Sequence, residues 1–162
     1  MSNSSFSRCW IATGAALAGL AVVTGAFAAH GLDNFVVEKY ANVPAKTIAG
    51  EEFAASWKYL QDFKTAAEYQ MYHALGLLVV GLMSLKARRK SLQVAGWSFL
   101  IGILLFSGSL YVLVITGITK LGAITPIGGV AFIVGWVALT LAALSRDSQT
   151  TSSTTKDDHA TV

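Results

Sequence analysis

The chain has 162 residues, of which 54% are hydrophobic and 13% charged, about half the ~25% charged share of a soluble domain. That is too little charge to cover a globular surface, and the mean hydropathy is +0.56, so the composition points to a chain covered in part by lipid. The net charge of +3 and pI of 9.1 do not argue for a nucleic-acid partner, because the cations gather beside apolar runs, where cytoplasmic retention accounts for them.

Four apolar runs follow one another: residues 10–29, 69–85, 94–118 and 126–144. Each is close to the ~20 residues a helix needs to cross ~30 Å of hydrocarbon, and none contains Lys, Arg, Asp or Glu. Continuous apolar runs, rather than alternating ones, predict helices. The expected fold is therefore all-α, a membrane bundle of four transmembrane helices forming a single domain over residues 1–144.

The first run is patterned with small residues at four-residue spacing. Ala21, Gly25 and Ala29 form one such stripe and Gly14 and Ala18 another, the pattern by which membrane helices approach closely. Arg8, an apolar stretch over 11–25 and the small residues Ala26 to Ala28 also fit a cleaved leader. The length and glycine patterning of the run favour a retained helix. Cys9, the one cysteine, has no internal disulfide partner.

Residues 31–68 lie between the first two spans. Phe53, Trp57, Leu60, Phe63 and Ala67 recur at spacings of three and four, with Glu52, Lys58, Gln61, Asp62 and Lys64 on other faces. This pattern predicts an amphipathic, extracytoplasmic surface helix running into the second span. Leu32, Phe35, Val36 and Tyr40 suggest a shorter helix before it, with a turn at Asn42 to Pro44.

Between the second and third runs stand Lys86, Arg88, Arg89 and Lys90, four cations in five residues. A short basic loop stays cytoplasmic, so alternation places both termini inside a plasma (inner) membrane. Gly117 or Gly122 is expected to end the third helical region. Thr125 suits the N-cap and Pro126 the first turn of the fourth helix, where Ala131 and Gly135 form a further small-residue pair. The Ser/Thr-rich tail, residues 145–162, is expected to be a disordered cytoplasmic segment.

The polar residues of the spans fall at one depth. His30 closes the first helix; Tyr69, Gln70, Tyr72 and His73 open the second; Ser107, Ser109 and Tyr111 sit in the middle and outer half of the third; Thr125 starts the fourth. The inner halves are nearly featureless. This one-sided placement predicts a polar cluster in the outer leaflet. Such a cluster serves as helix-to-helix hydrogen bonding, or as a site for a lipid, a small ligand or a partner. His30 and His73 could alternatively act as axial haem ligands, in a membrane redox component that binds haem or quinone; no dedicated metal motif is present, and the sequence specifies no cofactor. Walker, Rossmann, H-E-x-x-H and nucleophile-elbow signatures are missing, which favours a non-enzymatic role. The lack of a mid-span acid or base counts against an oligomeric solute or ion pathway. The expected partners are the bilayer and a second copy or another membrane protein.

Four segments in order, 25–32 (GAFAAHGL), 69–78 (YQMYHALGLL), 106–111 (FSGSLY) and 121–129 (LGAITPIGG), make the chain resemble the YgdD-like group of small four-helix inner-membrane proteins of bacteria, which has eukaryotic relatives. The resemblance covers most of residues 10–144 and implies four helices, an uncleaved first one, and no established biochemical activity. The longer segment between His30 and Trp57, Ala28 in place of a common glycine, and the tail depart from that pattern.

Overall fold

The computed structural model describes residues 3–86 and 89–145, with the side chains of Asn3 and Ser4 set aside. The expected disordered tail beyond Ser145 lies outside the described residues. The elements are α1 (Asn3–His30), α2 (Leu32–Lys39), a hairpin of β1 (Lys46–Ile48) and β2 (Glu51–Phe53), α3 (Ala55–Lys86), α4 (Lys90–Gly102), a π-helical segment (Ile103–Gly108), α5 (Ser109–Thr116), a 3-10 turn (Thr119–Ala123) and α6 (Thr125–Leu144). The protein is an all-α membrane protein in which three helical stretches, Ser5–His30, Lys90–Thr116 and Thr119–Leu144, are long and apolar enough to cross a bilayer.

The second predicted run does not form a helix of its own. It is the C-terminal half of the 32-residue α3, which is about 48 Å long at 1.5 Å per residue. The amphipathic segment runs into the apolar run as one continuous helix. The buried face of its first half is Ala55, Tyr59, Phe63, Ala66 and Ala67. Trp57, expected on that face, is exposed and stacks on Phe53 at 4.5 Å. The hairpin before α3 pairs Lys46 with Phe53 and Ile48 with Glu51. Its two turn residues, Ala49 (φ 53°) and Gly50 (φ 89°), are both left-handed, as a tight two-residue hairpin requires.

α1 and α3 run antiparallel at close range. A Cβ at Gly14 would lie 2.8 Å from the Ala74 carbonyl oxygen, and one at Gly81 would lie 2.9 Å from the Ile11 amide nitrogen. The buried line on α1 is Ser7, Trp10, Gly14, Ala21 and Ala28. Of the stripe expected from sequence, Ala21 is buried, Ala18 is half-buried, Gly25 has open space where a side chain would point, and Ala29 is exposed. On α6, Ala131 is half-buried and Gly135 is buried against the Phe99 ring.

Two hydrophobic cores result. At the basic end, Trp10, Leu77, Val80, Leu92, Phe99, Ile103, Phe132 and Leu139 form one. At the opposite end, Ala28, Leu32, Val36, Tyr40, Tyr59, Phe63, Leu113 and Val114 form the other, in which α2 caps the ends of α1, α3 and α5. Tyr40 stacks on Tyr59 at 3.9 Å and donates its hydroxyl to the Val114 carbonyl at 2.8 Å. Gly117 (φ 82°) ends α5, its N–H bonding the Leu113 carbonyl at 2.7 Å, a left-handed C-terminal cap. At the other end Arg89 Nη1 donates to the carbonyls of Ala142 (2.8 Å) and Ser145 (2.5 Å). This places a cation on the orphan carbonyls and negative dipole end of α6.

Candidate functional site

The polar residues of the helices lie between the two cores, and most of them end on one another. Gln70, buried on α3, donates its Nε2–H to the Leu17 carbonyl of α1 at 2.9 Å. Its Oε1 accepts the Tyr111 hydroxyl of α5 at 3.0 Å. Tyr111 Oη also lies 3.0 Å from Thr24 Oγ1 of α1, which sits 3.2 Å from the Ala21 carbonyl. With the Tyr111 hydrogen committed to Gln70, the Thr24 hydroxyl supplies the hydrogen of its pair. One ladder therefore ties three helices together. A second tie joins Ser109 Oγ to Thr125 Oγ1 at 3.0 Å, and Ser109 also bonds the Phe106 carbonyl at 3.0 Å. Thr125 opens α6 without capping it: its hydroxyl goes to the neighbouring helix instead of the free amides of its own first turn, a correction to the expected N-cap.

His73 is enclosed differently. Its Nδ1–H donates to the Tyr69 carbonyl one turn back at 2.7 Å, and its ring stacks on Phe132 at 3.3 Å with a 9° tilt. Phe99 and Trp136 stand within 5.6 and 6.0 Å of it. Tyr69 lies half-open, stacked on Phe106 at 4.6 Å, and Tyr72 is exposed beside it. Ser107 belongs to the π-helical segment, is fully buried, and its hydroxyl has no hydrogen-bond partner among the described residues. The segment is held close to α6 at Gly128, where a Cβ would lie 2.5 Å from the Phe106 amide nitrogen.

His30 does not join this set. It is exposed at the end of α1. The α1–α3 register pairs Leu17 with Gln70 and Gly14 with Ala74, so His73 lies at the level of residues 14–17. His30 is thirteen residues further along, about 20 Å at 1.5 Å per residue. The two histidines are therefore too far apart to ligate one metal or haem iron together, which corrects the axial-pair expectation. Among the described residues, no three His, Cys, Asp or Glu side chains come together in a group able to hold a metal ion. Thr24 is the member sequence reasoning missed. Its signal was a hydroxyl, one of two with Thr13, in an apolar run. The carbonyls of Leu17 and Ala21 carry no sequence signal at all.

The fold and this internal polar layer define a small helical membrane protein whose conspicuous polar groups face one another. Comparison with known proteins agrees. Residues 24–129 match the family model described as protein of unknown function (DUF423). The UPF0382 membrane protein YwdK of Bacillus subtilis is 44% identical over 138 residues, covering 85% of this chain and 97% of that protein. A UPF0382 membrane protein of Staphylococcus epidermidis is 44% identical over 137 residues, 85% of this chain and 96% of its own length. UPF0382 membrane protein SH2409 of Staphylococcus haemolyticus is 40% identical over 132 residues, 82% of this chain and 92% of its own. The chain belongs to the DUF423 family, whose curated relatives carry the UPF0382 membrane-protein name. No solved structure matches it.

Proposed function

We propose that this chain is a non-enzymatic, four-span protein of the plasma (inner) membrane, with both termini cytoplasmic, that works by binding a lipid, a small amphiphile or a partner protein at its outer face. Within the family, its four ordered motifs favour the YgdD-like group. The fourth span is the second half of α3. Its outward ridge is Tyr72, Leu75, Val79, Leu82 and Leu85, all exposed, while Gln70, His73 and Ser84 are turned inward and buried. Polar groups that lower the average hydropathy of this stretch therefore do not meet lipid. The first half of α3 carries Lys58, Gln61, Asp62 and Lys64, and Glu68 marks the change from a wet face to a lipid face. Lys86, Arg89, Lys90 and Arg8 share one end, the cytoplasmic one by charge bias.

The observation that carries the binding reading is the division of the polar cluster. Thr24, Gln70, Tyr111, Ser109 and Thr125 are occupied with helix partners, which makes them positioning groups. Tyr69 and Tyr72 remain open on the outside of the bundle, where amphipathic rings can meet lipid or partner surfaces. The open sides of Gly19 and Gly25 on α1 leave a small-residue face for a second copy or another membrane helix. A photoreactive side chain installed at Tyr72 in native membranes is expected to give a discrete adduct that the same group at Leu82 does not. Indistinguishable bulk-lipid adducts at both positions would overturn the binding reading.

A further inference from the structure

His73 and Trp136 carry an acceptor and a donor that no other group among the described residues uses. The Tyr69 carbonyl can only accept, so the neutral His73 ring holds its proton on Nδ1 and presents a lone pair at Nε2. Nε2 makes no hydrogen bond among the described residues. The side chain is 4% exposed, yet Nε2 is not one of the sealed polar atoms without a partner, which are Trp10 Nε1 and Ser107 Oγ. It therefore keeps an opening at the seam between α3 and α6, where Phe132 stacks on the ring. Trp136 stands one turn further along α6, its ring 6.0 Å from that of His73 and 44% exposed. Its indole N–H also has no hydrogen-bond partner among the described residues. Its depth is unusual. Indole rings gather at headgroup depth, where the N–H meets water, but Trp136 is about 16 Å along α6 from Thr125 and about 12 Å from Leu144 at 1.5 Å per residue.

An unmet acceptor and an unmet donor on neighbouring rings, in hydrocarbon, match a hydroxyl, which gives one hydrogen and takes another. The rings of Phe99 and Phe132 beside them favour a flat partner. A phospholipid keeps its polar groups in the headgroup layer, so this hydroxyl belongs to a molecule apolar enough to submerge it. We propose that the seam binds a membrane-soluble quinol, a hydroxylated aromatic ring on an apolar tail, whose hydroxyl donates to His73 Nε2 and accepts from Trp136 Nε1. The oxidised quinone offers only carbonyls and leaves Nε2 unmet, so the site prefers the reduced form; it binds and performs no redox step. The site lies deeper than the outer face. It rests on the four-span reading, because only a crossing α3 holds the seam in hydrocarbon.

The test is nitrogen NMR of the full chain, labelled with 15N-histidine, in anaerobic phosphatidylcholine nanodiscs. The His73 Nε2 resonance is identified by its loss in His73→Phe, and decylubiquinol, decylubiquinone or 1-decanol is titrated in. The quinol is expected to move Nε2 upfield and to saturate, as a lone pair that gains a hydrogen bond does. The quinone, which has no hydrogen to give, and decanol, which has no ring, should move it far less at the same mole fraction. Trp136→Phe keeps an exposed ring and removes the N–H; it should raise the half-saturating mole fraction about fivefold, the worth of one neutral hydrogen bond, with an unchanged melting midpoint. Trp97→Phe, an exposed indole elsewhere, should change it less than twofold. A Nε2 that ignores the quinol, an equal response to quinone or decanol, or an unaffected Trp136→Phe variant would each overturn the proposal. Thiol labelling of Glu51→Cys and Lys90→Cys separates the two failures: labelling from opposite sides with no Nε2 response sinks the quinol site alone, and labelling from one side sinks the four-span reading beneath it.

Discussion

The two cores of this molecule are built by opposite means. The core at the basic end sets aromatic rings against glycines: Phe99 against Gly135 and Gly76, and Trp10 against Gly96. The cap core uses ordinary side chains, with Leu32, Val36, Phe63 and Val114 around the Tyr40–Tyr59 stack. The difference follows from the surroundings. In lipid, apolar surface gains nothing by leaving one hydrocarbon for another, so helices associate by close fit and interhelical hydrogen bonds. Where helices meet water, burial drives association directly, in proportion to area.

The comparison is sharpened most by truncating the cap core. Phe63→Ala removes a buried ring and should cost about 4 kcal/mol, read as faster hydrogen exchange across residues 32–63 with little change across 90–102. Equal loosening of both regions would show a single cooperative core. Next, Gly128→Ala presses a methyl into the Phe106 backbone, which cannot swing aside as a side chain could. It should cost about 3 kcal/mol, seen as a lower melting midpoint in detergent. The ladder itself should weigh less: Gln70→Leu is expected to cost about 1 kcal/mol, and Tyr111→Phe in the same background should cost less than it does alone, because its bond to Gln70 is already gone and only the one to Thr24 remains.

The cap should also be the alkali-sensitive part. Burial, and then the neighbouring Tyr59, raise the Tyr40 hydroxyl above its ordinary value of 10.0. The folded state thus holds this proton more tightly than the unfolded chain does. Its contribution is fully present below pH about 10 and fades as pH rises through the folded value. Hydrogen exchange of residues 32–40, corrected for intrinsic rate, should accelerate above that pH. Tyr40→Phe should lose the acceleration, along with the bond to Val114.

Much of this architecture was legible in the sequence. The apolar runs at 10–29, 94–118 and 126–144 became helices because nothing in them competes with helix formation, and Gly117 ended α5 through its left-handed backbone. What was not legible has physical causes. The hairpin turn uses Ala49–Gly50, and Ala is a poor announcement of a left-handed position. The amphipathic pattern at 53–67 gave a helix with Phe63 and Ala67 inward but misplaced Trp57, since Phe53 and Trp57 satisfy each other by stacking. Depth along the chain grouped Gln70, Tyr111, Ser109 and Thr125, and the structure pairs Gln70 with Tyr111 and Ser109 with Thr125. Depth could not show that His30 would extend about 20 Å past His73, because antiparallel register depends on where Gly14 and Gly81 let the backbones meet.

The central claim is that α3 crosses the membrane with its polar side chains turned inward. The direct measurement replaces Cys9, the one cysteine, with Ser and introduces Glu51→Cys or Lys90→Cys, both exposed positions. Intact cells are then treated with a membrane-impermeant thiol reagent. Labelling at 51 without labelling at 90, reversed in inverted vesicles, is the predicted result. Labelling of both positions from the same side would contradict it, leaving a three-span protein with α3 lying outside the bilayer.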